Sequence, residues 1–340
     1  MPSETPALRG VLAPVLTPFE ADGTPSAARF VRHCRTLLND NVGLAAFGTN
    51  SEANSLSVRE KRELLDALVE AGLPTSRMMP GTGACALPDA IELTRHAVAQ
   101  GCAGVLMLPP FYYKGVGDEG LFRAFAHVID AVADTRLRIY LYHIPAVAQV
   151  GISAALIERL LHAYPGTIAG IKDSSGDWEN TSMLIDTFQP AGFDVFAGSE
   201  TFLLRTLQRG GVGCITATGN VNAAAIAKLA REWRNDDATA QQQALDTTRA
   251  AFQRFPMIAA MKAAIALQSG DANWATVRAP LVELDAAARR DLDASLAQIG
   301  FRIANAEALA VQDPDDIPTI AQNTASRAAE KAAERAHASH

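Results

Sequence analysis

Lys172 ends a short apolar run from Thr167 to Ile171 that has the composition of a buried strand and is followed by the polar sequence DSSGD. Removal from water favours the neutral amine of a lysine, and a neutral amine condenses with a ketone or aldehyde to form a Schiff base. The Schiff base is an electron sink for making and breaking C–C bonds. An ion pair with Asp173 is the structural alternative, although consecutive strand residues point to opposite faces of a sheet. The position alone leaves both roles open.

Tyr142 is the candidate proton donor and acceptor for such a nucleophile. It ends the apolar run that begins at Leu137, which precedes the lysine run along the chain. Carbinolamine dehydration and C–C cleavage both require proton transfer, and a tyrosine beside a cationic iminium can supply it. A core tyrosine with a hydrogen-bonded hydroxyl is the alternative, and Tyr140 fits that structural role better.

The other lysines are less suited to covalent chemistry. Lys114 falls in a polar loop. We expect the remaining four to be solvated because they fall in helix-like stretches: Lys61, Lys228, Lys262 and Lys331. Lys172 is therefore the lysine whose position, at the end of a predicted buried strand, calls for a specific role.

Short apolar runs alternate with amphipathic stretches from residue 8 to about residue 300. The eight runs are Val11–Val15, Val42–Phe47, Met78–Gly81, Gly104–Leu108, Leu137–Tyr142, Thr167–Lys172, Asp194–Ala197 and Val212–Thr216. Continuously apolar strands predict a parallel sheet that is buried on both faces. Its closed form is an α/β fold, the (β/α)8 TIM barrel. An open, doubly wound sheet is disfavoured because TPF, and not a Gly-rich turn, follows the first run.

This pattern divides the chain into three parts. We predict a barrel at residues 8–222, extra helices packed on it at 223–305, and a polar, Ala-rich tail at 306–340 that we expect to be disordered. Chemistry in such barrels lies at the carboxyl ends of the strands, and both Lys172 and Tyr142 occupy such ends.

The composition excludes several classes of protein. The chain of 340 residues is 49% hydrophobic and carries a net charge of −7, which gives no support for binding nucleic acid or an anionic membrane. We find no signal peptide and no apolar stretch long enough to span a bilayer. The four cysteines and seven histidines show no CxxC, HxH or HExxH spacing. We therefore expect a cytoplasmic protein with reduced cysteines, no metal site and no cofactor.

Six motifs together resemble the dihydrodipicolinate synthase / N-acetylneuraminate lyase family. They are GTNSE, GTG, PPFYYKG, YLYHIP, GIKDSSG and GCITATGN, in the order and spacing of that family, and the resemblance covers roughly residues 8–300. It implies a pyruvate-dependent class I aldolase with a TIM barrel. It also implies a homo-oligomer, a dimer or a tetramer built as a dimer of dimers.

The resemblance assigns catalytic roles to four residues. Lys172 forms the Schiff base with a 2-oxo acid, and Tyr142 is the general acid and base. Thr49 relays protons to that tyrosine, and Tyr113 matches a tyrosine that the synthases lend across a dimer interface.

The resemblance also assigns a substrate site, from which the chain departs in two places. Thr49 and Asn50 hold the pyruvate carboxylate, and the backbone of Ile215 lies against pyruvate. The family loop G-[ST]-T-G-E reads GTNSE here, although an asparagine can still donate to a carboxylate. Val147 stands where lysine-pathway synthases carry an arginine that binds the carboxylate of the aldehyde substrate.

These departures predict a divergent, non-synthase member of the family. We expect a lyase that cleaves or dehydrates a 2-keto-3-deoxy acid or a related pyruvate adduct. The alternative is a 4-hydroxy-tetrahydrodipicolinate synthase that condenses pyruvate with aspartate semialdehyde. A non-catalytic metabolite-binding barrel is more distant, because Lys172 and Tyr142 are both present.

Overall fold

A computed structural model of the protein describes residues 8–310, and its parallel sheet confirms the predicted TIM barrel. The strands are β1 (Gly10–Ala13), β2 (Gly43–Leu44), β3 (Val105–Met107), β4 (Ile139–His143), β5 (Ile168–Asp173), β6 (Asp194–Ala197) and β7 (Gly213–Ile215). They form one sheet in the order β2-β1-β7-β6-β5-β4-β3.

The segment 78–81 closes the sheet between β2 and β3. Met78 bridges to Leu44 of β2, and Gly81 bridges to Leu106 of β3, both in the parallel direction. The third predicted strand is thus present as two isolated bridges. Pro80 explains the interruption, because it has no N–H to donate toward β3, although its carbonyl accepts from the Leu106 N–H at 2.9 Å.

Helices follow the strands around the barrel and continue beyond it. They are α1 (Ala27–Asn39), α2 (Val58–Glu70), α3 (Leu87–Ala99), α4 (Asp118–Val132), the short α5 (Pro145–Ala148), α6 (Ala154–Ala163), α7 (Trp178–Phe188), α8 (Leu203–Gln208), α9 (Ala223–Glu232), α10 (Ala238–Gln253), α11 (Met257–Ser269) and α12 (Ala286–Gln298). Helix α2 begins with a capping box formed by Ser57 and Glu60. Helix α9 packs on β1 and α8 and completes the eighth strand–helix unit, so the sequence boundary at residue 222 falls just before a barrel helix.

The core has three parts that follow from this layout. The largest lies between the strands and the surrounding helices. A second fills the inside of the barrel with side chains that include Leu12, Met79, Leu106 and Phe196. A third lies under the C-terminal helices around Trp274, which is fully buried. Side chains therefore fill the interior of the barrel below the carboxyl ends of its strands.

The described chain continues beyond the predicted C-terminal helices. Ala306–Leu309 forms a turn of 3₁₀-helix, and the Leu309 carbonyl accepts a hydrogen bond from the Trp274 indole at 3.1 Å. The remainder of the predicted tail, 311–340, lies outside the described residues. Between residues 8 and 310, no helix has the length and apolar character that a membrane span requires.

Candidate active site

Lys172 and Tyr142 lie side by side at the carboxyl ends of β5 and β4. They are register partners in the sheet, and both side chains are buried. The Lys172 Nζ atom lies 4.2 Å from the centroid of the Tyr142 ring. An amine and a phenol on neighbouring strand ends can act on one bound molecule.

Asp173 does not neutralise the lysine. Its carboxylate accepts hydrogen bonds from the Thr181 hydroxyl at 2.6 Å and from the Ser175 N–H at 3.0 Å. Within residues 8–310, Lys172 forms no salt bridge. The two side chains therefore point to opposite faces of the sheet, as expected for consecutive strand residues.

Thr49 is the third member of the cluster. It opens a 3₁₀ turn, Thr49–Ser51, after β2, and its Oγ1 atom lies 3.1 Å from the Tyr142 hydroxyl, within hydrogen-bonding distance. Asn50 follows on the same turn and is half-buried. Ile215 ends β7, fully buried, and shares the barrel interior with Tyr142.

Tyr113 does not join this cluster in the single chain. It lies in the loop between β3 and α4 with 73% of its surface exposed. Its ring packs edge-on against Tyr112, with ring centroids 5.4 Å apart. Of the predicted catalytic residues, the structure therefore brings together Lys172, Tyr142 and Thr49.

Two neighbouring groups have shifted pKa values. Burial raises the pKa of Tyr140 well above its usual range, and nearby Asp194 adds to the rise, so this tyrosine remains protonated. Burial lowers the pKa of His143, and the charge of Asp173 opposes the fall. The Nδ1 atom of His143 accepts a hydrogen bond from the Ile152 N–H at 2.9 Å, which fixes the end of the loop that contains α5.

Sequence reasoning missed two ion pairs in the loops after the strands, of which one is fully buried and the other partly buried. Glu52, in the loop after β2, pairs with Lys262 of α11, and Glu200, after β6, pairs with Arg249 of α10. The prediction that Lys262 is solvated is wrong, since its side chain is fully buried, and the same holds for Lys61, which is 7% exposed. A lysine within the apolar run MIAAMKAAI was the available signal.

No cluster of three or more His, Cys, Asp or Glu side chains suited to a metal ion occurs in the part of the chain that the structure describes. The chemistry available at the barrel mouth is that of an amine, a phenol and a hydroxyl. A TIM barrel with these groups at its strand ends is typical of barrel enzymes, which bind small molecules at the carboxyl ends of their strands.

Comparison with known proteins identifies the family within that class. The model of the dihydrodipicolinate synthetase family matches residues 7–299, so the chain belongs to this family. An uncharacterised DapA-like lyase of Chloroflexus aurantiacus is 35% identical over 284 residues, which are 81% of this chain and 92% of that protein.

Two solved structures extend the likeness. Dihydrodipicolinate synthase from Agrobacterium tumefaciens str. C58 is 30% identical with a TM-score of 0.79, and the match covers 86% of this chain and all of that one. YagE, a prophage protein of the same family from E. coli K12 solved in complex with pyruvate, is 28% identical with a TM-score of 0.78, over 86% and 98% of the two chains. The protein is an enzyme of the lyase class.

Proposed function

We propose that the protein is a Schiff-base-forming lyase that cleaves or dehydrates a 2-keto-3-deoxy acid or a related pyruvate adduct. One observation carries the proposal: a buried lysine amine lies 4.2 Å from the ring of a tyrosine whose hydroxyl is within 3.1 Å of a threonine hydroxyl. These are Lys172, Tyr142 and Thr49. The arrangement provides a nucleophile, a proton carrier and a second hydroxyl in one buried cluster.

The cleavage reaction would proceed through these groups in sequence. The neutral Lys172 amine adds to the C2 carbonyl of the substrate, and loss of water gives an iminium. Tyr142 gives its proton to the hydroxyl that leaves as water and becomes a phenolate. The phenolate then accepts the proton of the C4 hydroxyl as the C3–C4 bond breaks, and the electrons of that bond pass to the iminium nitrogen. The aldehyde leaves, the resulting enamine is protonated at C3, and water releases pyruvate and the free lysine.

The carboxylate of the 2-oxo acid would bind at the turn after β2. Thr49 and Asn50 lie there, and both are half-buried. Ile215 ends β7, which is two strands from β2 in the sheet, and it would place its backbone against the bound acid. A carboxylate held at this turn would direct the keto carbon toward Lys172.

We also propose that the protein is a cytoplasmic homo-oligomer, a dimer or a tetramer. Tyr112 and Tyr113 are each 73% exposed beside the barrel mouth, and exposed aromatic pairs are typical of contact surfaces. A partner subunit would bury them and could bring its own Tyr113 to the site.

A second candidate is 4-hydroxy-tetrahydrodipicolinate synthase, which the likeness to the Agrobacterium tumefaciens synthase favours. Val147 argues against it. This residue lies on α5 at 62% exposure, where the resemblance would place the arginine that binds a second carboxylate. An apolar side chain there favours a substrate without that carboxylate.

Reductive trapping tests the proposed function. Pyruvate with borohydride should attach one reduced pyruvyl group to Lys172, located by peptide mapping. Lys172→Arg should abolish the adduct, because a guanidinium is not deprotonated at working pH, while the matched variant Lys114→Arg should retain it. Pyruvate release from a panel of 2-keto-3-deoxy acids and arylidene-pyruvates then identifies the substrate. An adduct on Lys114, or none, would refute the proposal.

A further inference from the structure

The ammonium of Lys262 and the carboxylate of Glu52 form an ion pair that is wholly inside the protein. Both side chains have no exposed surface, and the pair joins residues that are 210 positions apart in sequence. The Lys262 Nζ also donates to the Thr276 carbonyl at 2.8 Å and lies 4.3 Å from the centre of the Phe19 ring. The other oxygen of the Glu52 carboxylate accepts a hydrogen bond from the backbone N–H of Arg278 at 2.8 Å.

Glu52 ends the turn that carries Thr49. Its backbone is left-handed, with φ of 56°, a conformation that is costly for a residue with a side chain. Its N–H bonds back to the Thr49 carbonyl at 3.2 Å. The Lys262 ammonium and the Arg278 backbone N–H both bind the Glu52 carboxylate and so hold the side chain of this residue.

The same turn is held at a second residue. The Ser51 hydroxyl accepts from the Gly48 N–H at 3.2 Å, and the Ser51 carbonyl accepts from the Thr17 hydroxyl at 2.7 Å. The Thr17 contact fixes Ser51 to the loop that follows β1, whereas Glu52 fixes the end of the turn to α11. The position of the Thr49 hydroxyl relative to Tyr142 is therefore set from both sides.

We infer that Lys262, through Glu52, is a positioning residue for Thr49, so that helix α11 is part of the machinery that aligns the proton relay. This inference rests on the proposed function. Lys262 touches no reacting atom, and its effect passes along the contacts Lys262–Glu52, the turn 48–52 and Thr49–Tyr142. The buried charge at Lys262 is thus a requirement of the catalytic geometry.

A double-mutant cycle tests the inference. Lys262→Met should lower kcat for pyruvate release about 10- to 100-fold by displacing the Thr49 hydroxyl, with a smaller change in KM for the 2-oxo acid substrate. In a Thr49→Val background, the same substitution should lower kcat less than about threefold, because the hydroxyl it positions is already gone. Equal losses in the two backgrounds would overturn the inference.

Two further variants separate positioning from general destabilisation. Arg29→Met removes another buried cation that joins the barrel to the C-terminal region, through Asp271 at 2.7 Å, but none of its partners lies in the turn 48–52. It should lower thermal stability without a selective loss of kcat. If Lys262→Met does not fold, Glu52→Gln/Lys262→Met, which removes both charges, takes its place in the cycle.

Wild-type trapping keeps the two hypotheses distinct. A wild type without a pyruvate adduct refutes the proposed function and, with it, this inference. A wild type that is trapped on Lys172, combined with additive losses in the cycle or with full kcat in a folded Lys262→Met protein, overturns the inference alone. If pyruvate is trapped on Lys172 of the wild type and the losses of kcat in the cycle are not additive, the inference is established.

Discussion

Val147→Arg should raise the activity of this protein as a synthase that condenses pyruvate with aspartate semialdehyde. Val147 lies on α5, directly after the strand that carries Tyr142, and α5 is held in place because its Ala148 carbonyl accepts a hydrogen bond from Lys114 at 2.7 Å. An arginine at this position would present its guanidinium at the barrel mouth. Aspartate semialdehyde carries a carboxylate that such a group can bind in a bidentate manner.

The exposure of the position sets the size of the effect. A hydrogen bond to a charged group contributes about 1.5–3 kcal/mol, whereas a fully exposed ion pair contributes about 0–1 kcal/mol. Val147 is 62% exposed, so part of the interaction is lost to solvent. We therefore expect a gain of about 1–2 kcal/mol, or about 5- to 30-fold in kcat/KM for aspartate semialdehyde.

A coupled assay at saturating pyruvate measures this gain. Val147→Gln is the matched control, because it adds a polar side chain without the charge, and it should leave kcat/KM near that of the wild type. The gain from arginine should shrink as salt is added. Equal activities of the two variants would refute the electrostatic argument. A wild-type kcat/KM of about 10⁴–10⁶ M⁻¹s⁻¹ would show that no arginine is needed at Val147 and would restore the synthase function.

Two further predictions concern the proton carrier and a buried histidine. Tyr142→Phe should lower kcat for pyruvate release about 10²- to 10⁴-fold with little change in thermal unfolding, since only a hydroxyl is lost; near-normal turnover would assign the proton transfer to another group. Burial lowers the pKa of His33 to about 4, below the unfolded value, so the unfolded chain binds the extra proton as the pH falls. The contribution of His33 should therefore lower the free energy of unfolding by about 2.5 kcal/mol between pH 7 and pH 4.5, measured by urea titrations. His33→Gln should remove this part of the pH dependence and exposed His127→Gln should not; equal profiles would contradict the assignment.

The fold could be predicted from the sequence because each element carries its own signal. The apolar runs indicate strands buried on both faces, and their alternation with amphipathic stretches indicates a barrel. The neighbouring positions of Tyr142 and Lys172 follow from the same rule, because consecutive units of a barrel place their strands side by side. The segment 78–81 was harder, since Pro80 weakens the pairing that would mark a strand.

The supports of the site could not be predicted in the same way. Lys262 lies in a helix whose sequence is mostly apolar. Its partner Glu52 lies 210 residues earlier, so no local sequence pattern links the two residues. Tyr113 illustrates a different limit. Its motif predicts a role, but the role requires a second chain, and within one chain the residue is largely exposed.

Two ion pairs connect the C-terminal helices to loops of the barrel, so a description of the barrel alone leaves out contacts that hold these loops. Arg249 of α10 pairs with Glu200 at 2.7 Å, and the Glu200 carboxylate also accepts from the Thr216 hydroxyl at the end of β7. Lys262 of α11 pairs with Glu52 in the loop after β2. Apolar residues in place of a buried ion pair are often neutral or stabilising, whereas loss of one partner costs about 3–5 kcal/mol, so stability alone does not explain such pairs. Both pairs join helices that follow the barrel in sequence to loops at the carboxyl ends of its strands, so the C-terminal helices are anchored to the end of the barrel where the candidate site lies.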